Sequence, residues 1–307
     1  MSEAPAPLVI VGPTASGKSA LAVALAGRVP GAEVISADAM AVYRTMDVGT
    51  AKPTPGERAG VPHHLIDVAD PGEEYTVARF QAEAVAVLAD LAARHATPIL
   101  VGGTGLYVRA VVDRLTLPGQ YPEVRRRLEE ETSTAALHRR LTELDPVAAA
   151  RMLATNRRRI VRALEVTLGS GRPFSSFGPG IDAYPPTRFR QVGLRLDRHE
   201  LDQRIDRRYD RQLADGFVDE VAALSRRPLS RTASQALGYA EVLGHLRGET
   251  TLDEALDHAR RRTKRFARRQ ERWFRRDPRI TWFEARDPHL TDRVNDWWRK
   301  PSGEPST

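Results

Sequence analysis

Eight residues near the start of the chain, Gly12-Pro13-Thr14-Ala15-Ser16-Gly17-Lys18-Ser19, have the spacing of a loop that cradles two linked phosphates. The glycines let backbone amides converge at the positive end of a helix, Lys18 adds a point charge, and the Ser19 hydroxyl is a candidate ligand for Mg2+. Such a loop works between a strand and a helix, and the flanks supply both. Leu8 to Val11 is an apolar run, and Leu21, Ala22 and Leu25 fall at helical spacing between Lys18 and Arg28. Nothing in the loop demands a nucleoside on the phosphates, so any diphosphate fits. A turn that binds nothing could carry the same letters.

Other residues could act beside it. Ser36-Ala37-Asp38 ends a second apolar run, and strand ends gather at the ligand crevice of a doubly wound sheet. There Asp38 could take a proton from an attacking nucleophile while Lys18, Mg2+ and the loop amides absorb charge on a departing diphosphate; capping the next helix is its structural alternative. Val101-Gly102-Gly103-Thr104 offers close backbone approach and a short hydroxyl, although a ligand-free turn would look the same. Leu65-Ile66-Asp67 is the one later apolar run ending in a carboxylate that could hold a second magnesium ligand. His63 and His64 precede it and point to opposite faces if in a strand, which favours hydrogen bonding over metal binding. Arg207 and Arg208 could reach the crevice from a later helix.

These residues need elements to hold them. Apolar runs at Leu8 to Val11, Glu33 to Ser36, Leu65 to Val68, Pro98 to Val101, Val192 to Leu196 and Ile280 to Phe283 read as strands. Amphipathic stretches such as Val77 to Arg94 separate them, predicting a mostly parallel α/β sheet with helices on both faces, of the phosphate-loop NTPase-like class. Between about residues 118 and 187 strand character vanishes; Val124 to Leu141, Pro146 to Met152 and Arg158 to Leu168 read as helices. The expected organisation is a core of residues 1–117 and 188–300, a helical insertion at 118–187, and a Pro/Ser/Gly tail at 301–307 expected to be disordered. Leu201 to Ala214, Val218 to Leu224, Ser234 to Leu246 and Leu252 to Arg275 complete the helices. On the last, Arg261, Arg265, Arg268, Arg272 and Arg275 form one basic stripe, with Phe266, Ala267, Gln270, Trp273 and Phe274 beside it.

Composition narrows the classes. The 307 residues are 41% hydrophobic and 28% charged, as in ordinary globular proteins, and apolar runs stop well short of the roughly 20 residues that span a bilayer. No basic stretch leads into an apolar core at the N-terminus, so a cytoplasmic protein without membrane contact is expected. The absence of cysteine excludes disulfides, thiolate nucleophiles and cysteine-based zinc sites. A formal charge of +7, concentrated at Arg125 to Arg127, Arg157 to Arg162 and Arg260 to Arg276, suits a nucleic-acid partner as well as a solvated face.

Seven stretches together resemble the tRNA dimethylallyltransferase, or tRNA isopentenyltransferase, family of bacterial type: GPTASGKS (12 to 19), SADAMAVYRTMDVGTAKP (36 to 53), VPHHLIDVADP (61 to 71), PILVGGTGLYV (98 to 108), RRRIVRALEV (157 to 166), ALGYAEVL (236 to 243) and TKRFARRQERWF (263 to 274). The resemblance implies transfer of a dimethylallyl group from dimethylallyl diphosphate to N6 of the adenosine 3′ to the anticodon. It implies Asp38 as proton acceptor, Thr14, Lys18, Ser19, Arg208 and Mg2+ on the diphosphate, and a flipped base. The tRNA contacts it implies, on the anticodon stem-loop, are Asp38, Ala39, Met40, Ala41, Thr104, Arg126, Arg158, Arg159, Arg162, Gln235, Gly238, Tyr239, Arg265, Arg268, Arg269, Gln270, Arg272 and Arg275. The chain departs from the family pattern at Ala39 and Ala41, commonly Ser and Gln, at Asn156, usually Asp, and at Arg268, usually Lys. A monomer is expected.

Two other readings share these motifs. A phosphate-loop kinase would use ATP on a small metabolite, with Asp38 as base and the insertion as lid. A noncatalytic RNA-binding protein would keep the loop as a relic.

Overall fold

The computed structural model describes residues 5 to 300, so the tail at 301–307 lies outside the described residues. Among the described residues the first unit, 5–112 and 186–300, opens with β1 (Leu8–Val11), α1 (Lys18–Ala26), β2 (Ala32–Ser36), α2 (Pro55–Arg58), β3 (His63–His64), α3 (Val77–Ala93), β4 (Thr97–Gly102) and α4 (Gly105–Val112). The second unit, residues 113–185, holds α5 (Pro122–Glu130), α6 (Thr134–Leu144), α7 (Pro146–Ala150), α8 (Arg157–Ser170) and a 3-10 turn at Phe174–Phe177. The chain then returns to the first unit with β5 (Arg190–Arg195), α9 (Arg198–Ala214), α10 (Phe217–Leu224), α11 (Arg231–Ser234), α12 (Tyr239–Leu246), α13 (Leu252–Phe274), β6 (Ile280–Glu284) and α14 (Leu290–Arg299).

All six strands run parallel in the order β3-β2-β4-β1-β5-β6. The central strand shows why the run is wholly apolar. Leu8 and Ile10 face a core completed by Leu21 and Leu25 of α1 and Val294 and Trp298 of α14; Val9 and Val11 face another with Phe80 and Leu91 of α3 and Ile205 of α9. Helices cover both faces, so each of the four residues is buried and contributes about 2 kcal/mol of transfer free energy. The sheet order places the carboxyl ends of β1, β2 and β4 side by side, where the loops bearing Thr14, Asp38 and Thr104 emerge.

Three expectations need correction. The strand expected at Leu65 to Val68 is absent: pairing ends at His64, and Leu65 and Asp67 take left-handed φ of 59° and 60°, which breaks a ladder. The helix expected over Val124 to Leu141 is two, because Ser133 accepts the Ala136 N–H and starts α6 afresh. The helix expected over Ser234 to Leu246 is also two, parted where Gly238 takes φ of 86°. In the second unit, Leu128, Leu137, Leu141, Ile160, Val161 and Leu164 form a separate small core. No helix among the described residues is long and apolar enough to cross a membrane.

Candidate active site

The carboxyl edge of the sheet opens onto a cavity of about 840 Å3, lined entirely by residues of the first unit. Its floor is the turn between β1 and α1. Gly12 has a φ of 146°, and a Cβ there would lie 2.8 Å from the Leu194 carbonyl oxygen, so only glycine lets this turn pass β5. Gly17, at φ 93°, precedes the first turn of α1, whose amides have no partner within the helix. Thr14, Ala15, Gly17, Lys18 and Ser19 line the cavity. Ser16 instead turns inward, 1% exposed, with its hydroxyl lacking a hydrogen bond among the described residues; Gly12 and Pro13 are likewise buried. Pro13 has no amide hydrogen and its carbonyl accepts Lys18 and the Ser16 N–H, so it shapes the turn rather than donating to a ligand.

Lys18 donates to the Pro13 carbonyl at 2.7 Å. Burial pulls its pKa from 10.5 to about 8; the Asp38 carboxylate opposes the shift and Arg208 adds to it. Asp38 follows β2, and its Oδ1 accepts the Met40 and Ala41 N–H groups at 2.8 and 3.3 Å. That turn aims the carboxylate and leaves Oδ2 without a hydrogen bond among the described residues. Ala41 lines the same cavity. Thr104 supports this turn from the next loop, its hydroxyl accepting the Ala39 N–H at 3.2 Å.

Arg208 of α9 donates from one nitrogen to the Thr14 hydroxyl at 2.9 Å and from the other to the Gly49 carbonyl at 3.4 Å. Burial lowers its pKa while Asp38 opposes the change. Arg207 lines the cavity as well. So do Arg204 and Arg211, which sequence reasoning missed although the spacing 204, 207, 208, 211 marks one helical face. Lys52, also missed, lines the cavity with a side chain 4% exposed; it donates to the Tyr43 carbonyl at 2.8 Å, to Asp67 at 2.6 Å and to Asp47. Asp67, the one carboxylate that ended a later apolar run, is the partner of this buried lysine and is not among the residues lining the cavity. His63 and His64 bond to the Val61 carbonyl and the Glu33 carboxylate.

The expected nucleic-acid contacts divide. On α13, Arg265 and Arg272 are exposed without an ion pair among the described residues, Arg269 lies over Phe266, Arg268 donates to the Lys264 carbonyl, and Arg261 and Arg275 pair with Asp257 and Glu271. Gln235 is exposed. Gln270, Gly238 and Tyr239 are buried and have internal partners, so the contacts offered for them need correction. Gln270 accepts the Thr14 N–H and donates to the Gly103 carbonyl, both at 2.9 Å. Tyr239, 1% exposed, donates to Glu220 and packs edge-on to Phe217, which also lies against Gly238. Within the second unit Arg158 and Arg159 are exposed, Arg126 pairs with Glu123, and Arg162 bridges Glu165 and the Pro118 carbonyl. Asn156 caps α8 through the Arg159 N–H, which an Asp would do equally well.

A magnesium ion here would have the Ser19 hydroxyl as its ligand from the chain, a hard oxygen donor. The described residues contain no group of three or more His, Asp or Glu placed to hold a metal, which suits an ion held mostly by phosphate oxygens and water.

Comparison with known proteins is extensive. A family model described as IPP transferase matches residues 41–277, and one described as isopentenyl transferase matches 7–68. The chain is 56% identical to a tRNA dimethylallyltransferase of Kineococcus radiotolerans over 94% of its length and 93% of that protein's, and 53% identical to one of Streptomyces avermitilis over 95% of each. Its structure is similar to a full-length tRNA isopentenylpyrophosphate transferase of Bacillus halodurans, with a TM-score of 0.71, 38% identity and 95% coverage of both chains. It is also similar to a eukaryotic dimethylallyltransferase acting on tRNA, with a TM-score of 0.79 at 27% identity, covering 97% of this chain and 81% of the other.

Proposed function

The chain belongs to the IPP transferase family of tRNA dimethylallyltransferases, and from that premise we propose that this cavity moves a dimethylallyl group from dimethylallyl diphosphate to N6 of the adenosine 3′-adjacent to the tRNA anticodon. The products are N6-isopentenyladenosine and diphosphate. The observation that carries the reading is the convergence of Lys18, Arg208 and the Asp38 carboxylate on one cavity beside the turn at Gly12 to Ser19.

The chemistry follows from those neighbours. The N6 lone pair forms a bond to C1 of the dimethylallyl group as the C1–O bond breaks and its electrons leave with the diphosphate. Lys18, Arg208, the Thr14 hydroxyl and the amides of Ala15, Gly17, Lys18 and Ser19 take up that charge. Asp38 receives the N6 proton through Oδ2, the oxygen its own turn leaves open. Mg2+ is the divalent ion of this proposal, with Ser19 as its ligand from the chain, and when bound it supplies further neutralisation of the phosphates. On the acceptor side, Asp38 to Ala41 and Thr104 would meet the base, and Gln235, Arg265, Arg268, Arg269, Arg272 and Arg275 the RNA backbone. Arg126, Arg158, Arg159 and Arg162 are the corresponding candidates on the second unit. The reading also holds the protein to be a cytoplasmic monomer.

A small-molecule kinase is disfavoured by relatives that carry the tRNA dimethylallyltransferase name along nearly their whole length. The deciding experiment incubates the protein with Mg2+, unmodified tRNA and either donor. Nucleoside mass spectrometry should show one prenyl mass gained on adenosine with dimethylallyl diphosphate and none with ATP. ADP formation with tRNA unchanged would reverse the conclusion.

A further inference from the structure

The loop between β2 and α2 is held by a carboxylate from a distant helix. Glu220 of α10 accepts the backbone N–H groups of Asp47 and Val48 at 2.8 Å and of Gly49 at 3.1 Å, and the Tyr239 hydroxyl at 2.6 Å. The carbonyls of the same loop are taken from the other side: Gln212 donates to Val48 at 2.7 Å and to Gly49 at 2.8 Å. Space is equally constrained, since a Cβ on Gly49 would lie 2.2 Å from the Phe217 ring and 2.5 Å from that of Tyr239. The Gly49 carbonyl so fixed accepts one nitrogen of Arg208, whose other nitrogen holds the Thr14 hydroxyl.

We propose that Glu220 is a positioning residue of the transfer reaction, setting the Gly49 carbonyl that orients the Arg208 guanidinium toward the diphosphate. The inference rests on the reading of Thr14 and Arg208 as diphosphate ligands. Glu220 itself is not among the residues that line the cavity, so its effect passes through the loop. A carboxylate that accepts three amides and a phenol is poorly replaced by an amide, whose NH2 group would face donors. Arg208 has rotamer freedom that must be removed before it can grip a diphosphate bidentately, and two fixed acceptors remove it without using the charge.

The test uses the full chain, inorganic pyrophosphate with Mg2+ as probe, and unmodified tRNA as the second ligand. Glu220→Gln should weaken pyrophosphate binding roughly tenfold or more and raise KM for dimethylallyl diphosphate, with tRNA affinity unchanged. Arg208→Lys should do the same, and the double variant should be little worse than Arg208→Lys alone, because Glu220 acts through that arginine. Additive losses, or a lowered Tm with pyrophosphate affinity intact, would overturn the proposal and leave Glu220 a fold residue. If Arg208→Lys itself left pyrophosphate binding unchanged, the reading of the diphosphate site would fail first. If Glu220→Gln does not fold, Gln212→Met removes the opposite anchor of the same loop and should give the same selective loss; unchanged pyrophosphate binding in it would count against the proposal.

Discussion

The side-chain oxygen of Gln270 accepts the Thr14 backbone N–H at 2.9 Å, so one hydrogen bond joins the long basic helix to the phosphate loop. Its amide nitrogen donates to the Gly103 carbonyl, and a Cβ on Gly103 would lie 2.2 Å from that nitrogen. Gln270→Leu should leave a buried donor and a buried acceptor unpaired, at about 2 to 5 kcal/mol, read as a lower urea midpoint. Gln270→Glu retains an acceptor for Thr14 but sets a carboxylate oxygen against the Gly103 carbonyl. The added negative charge beside the phosphate loop repels an anion, so pyrophosphate affinity should fall at least as far in Gln270→Glu as in Gln270→Leu, and unchanged affinity in both would remove Thr14 from the role given to this bond.

Much of this arrangement was legible in sequence and the rest was not, for physical reasons. Leu8 to Val11 and Pro98 to Val101 read as strands because a parallel sheet covered on both faces permits unbroken apolar runs. The phosphate loop was legible because backbone convergence demands Gly12 and Gly17 at fixed positions. β3 was not: its two paired residues precede an apolar run whose Leu65 and Asp67 adopt left-handed geometry that no periodicity records. The break at Ser133 had a readable cap signal inside a run of helical spacing, and the spacing masked it. Glu220, Gln212 and Gln270 were invisible as positioning groups because each acts on a backbone segment remote in the chain.

Asp38→Asn removes the carboxylate proposed to accept the N6 proton while its Oδ1 turn to Met40 and Ala41 can persist. Single-turnover prenylation should fall about 10^2- to 10^4-fold. Pyrophosphate binding should survive, because the charge being lost repels the anion. A variant that turns over normally would assign Asp38 to the turn alone.

Lys18 titrates near pH 8, well below an ordinary lysine, and the sign of its effect follows from which form binds. The ammonium attracts the diphosphate, so kcat/KM for the donor should be level below about pH 8 and fall as pH rises through it. Saturating donor should move the limb upward, because a bound anion stabilises the ammonium. Lys18→Arg keeps its charge across this range and should lose the limb whatever its absolute rate. A limb that persists in Lys18→Arg belongs to another group.

Glu33 accepts both terminal nitrogens of Arg94, at 2.7 and 3.1 Å, and meets His64 at 2.6 Å. The Arg94 bonds hold its carboxyl below the usual 4.5, with His64 adding to the effect. A carboxylate whose folded pKa is depressed contributes stability above 4.5, and that stability drains away as pH falls through the folded value. Glu33→Gln should cost about 1 to 3 kcal/mol near neutrality and flatten the acid side of the stability curve. Parallel curves for the two proteins would mean the acid loss arises elsewhere.

The arginines of α13 should differ in their contribution to RNA binding according to the partners they already have. Arg265 and Arg272 are exposed and carry no ion pair among the described residues, whereas Arg275 is held by Glu271 at 2.6 Å. A free guanidinium can neutralise a phosphate and release a counterion; a paired one must first give up its carboxylate, which returns much of the gain. Arg265→Gln and Arg272→Gln should each weaken tRNA binding and reduce the slope of log affinity against log salt by about 0.7 to 0.9. Arg275→Gln should change the slope less, since Glu271 is then left bare near the RNA and repulsion rather than counterion release sets the loss. Slopes in all three variants that match the unsubstituted protein would show that the tRNA takes another face, and equal reductions in all three would show that the Glu271 pairing does not matter.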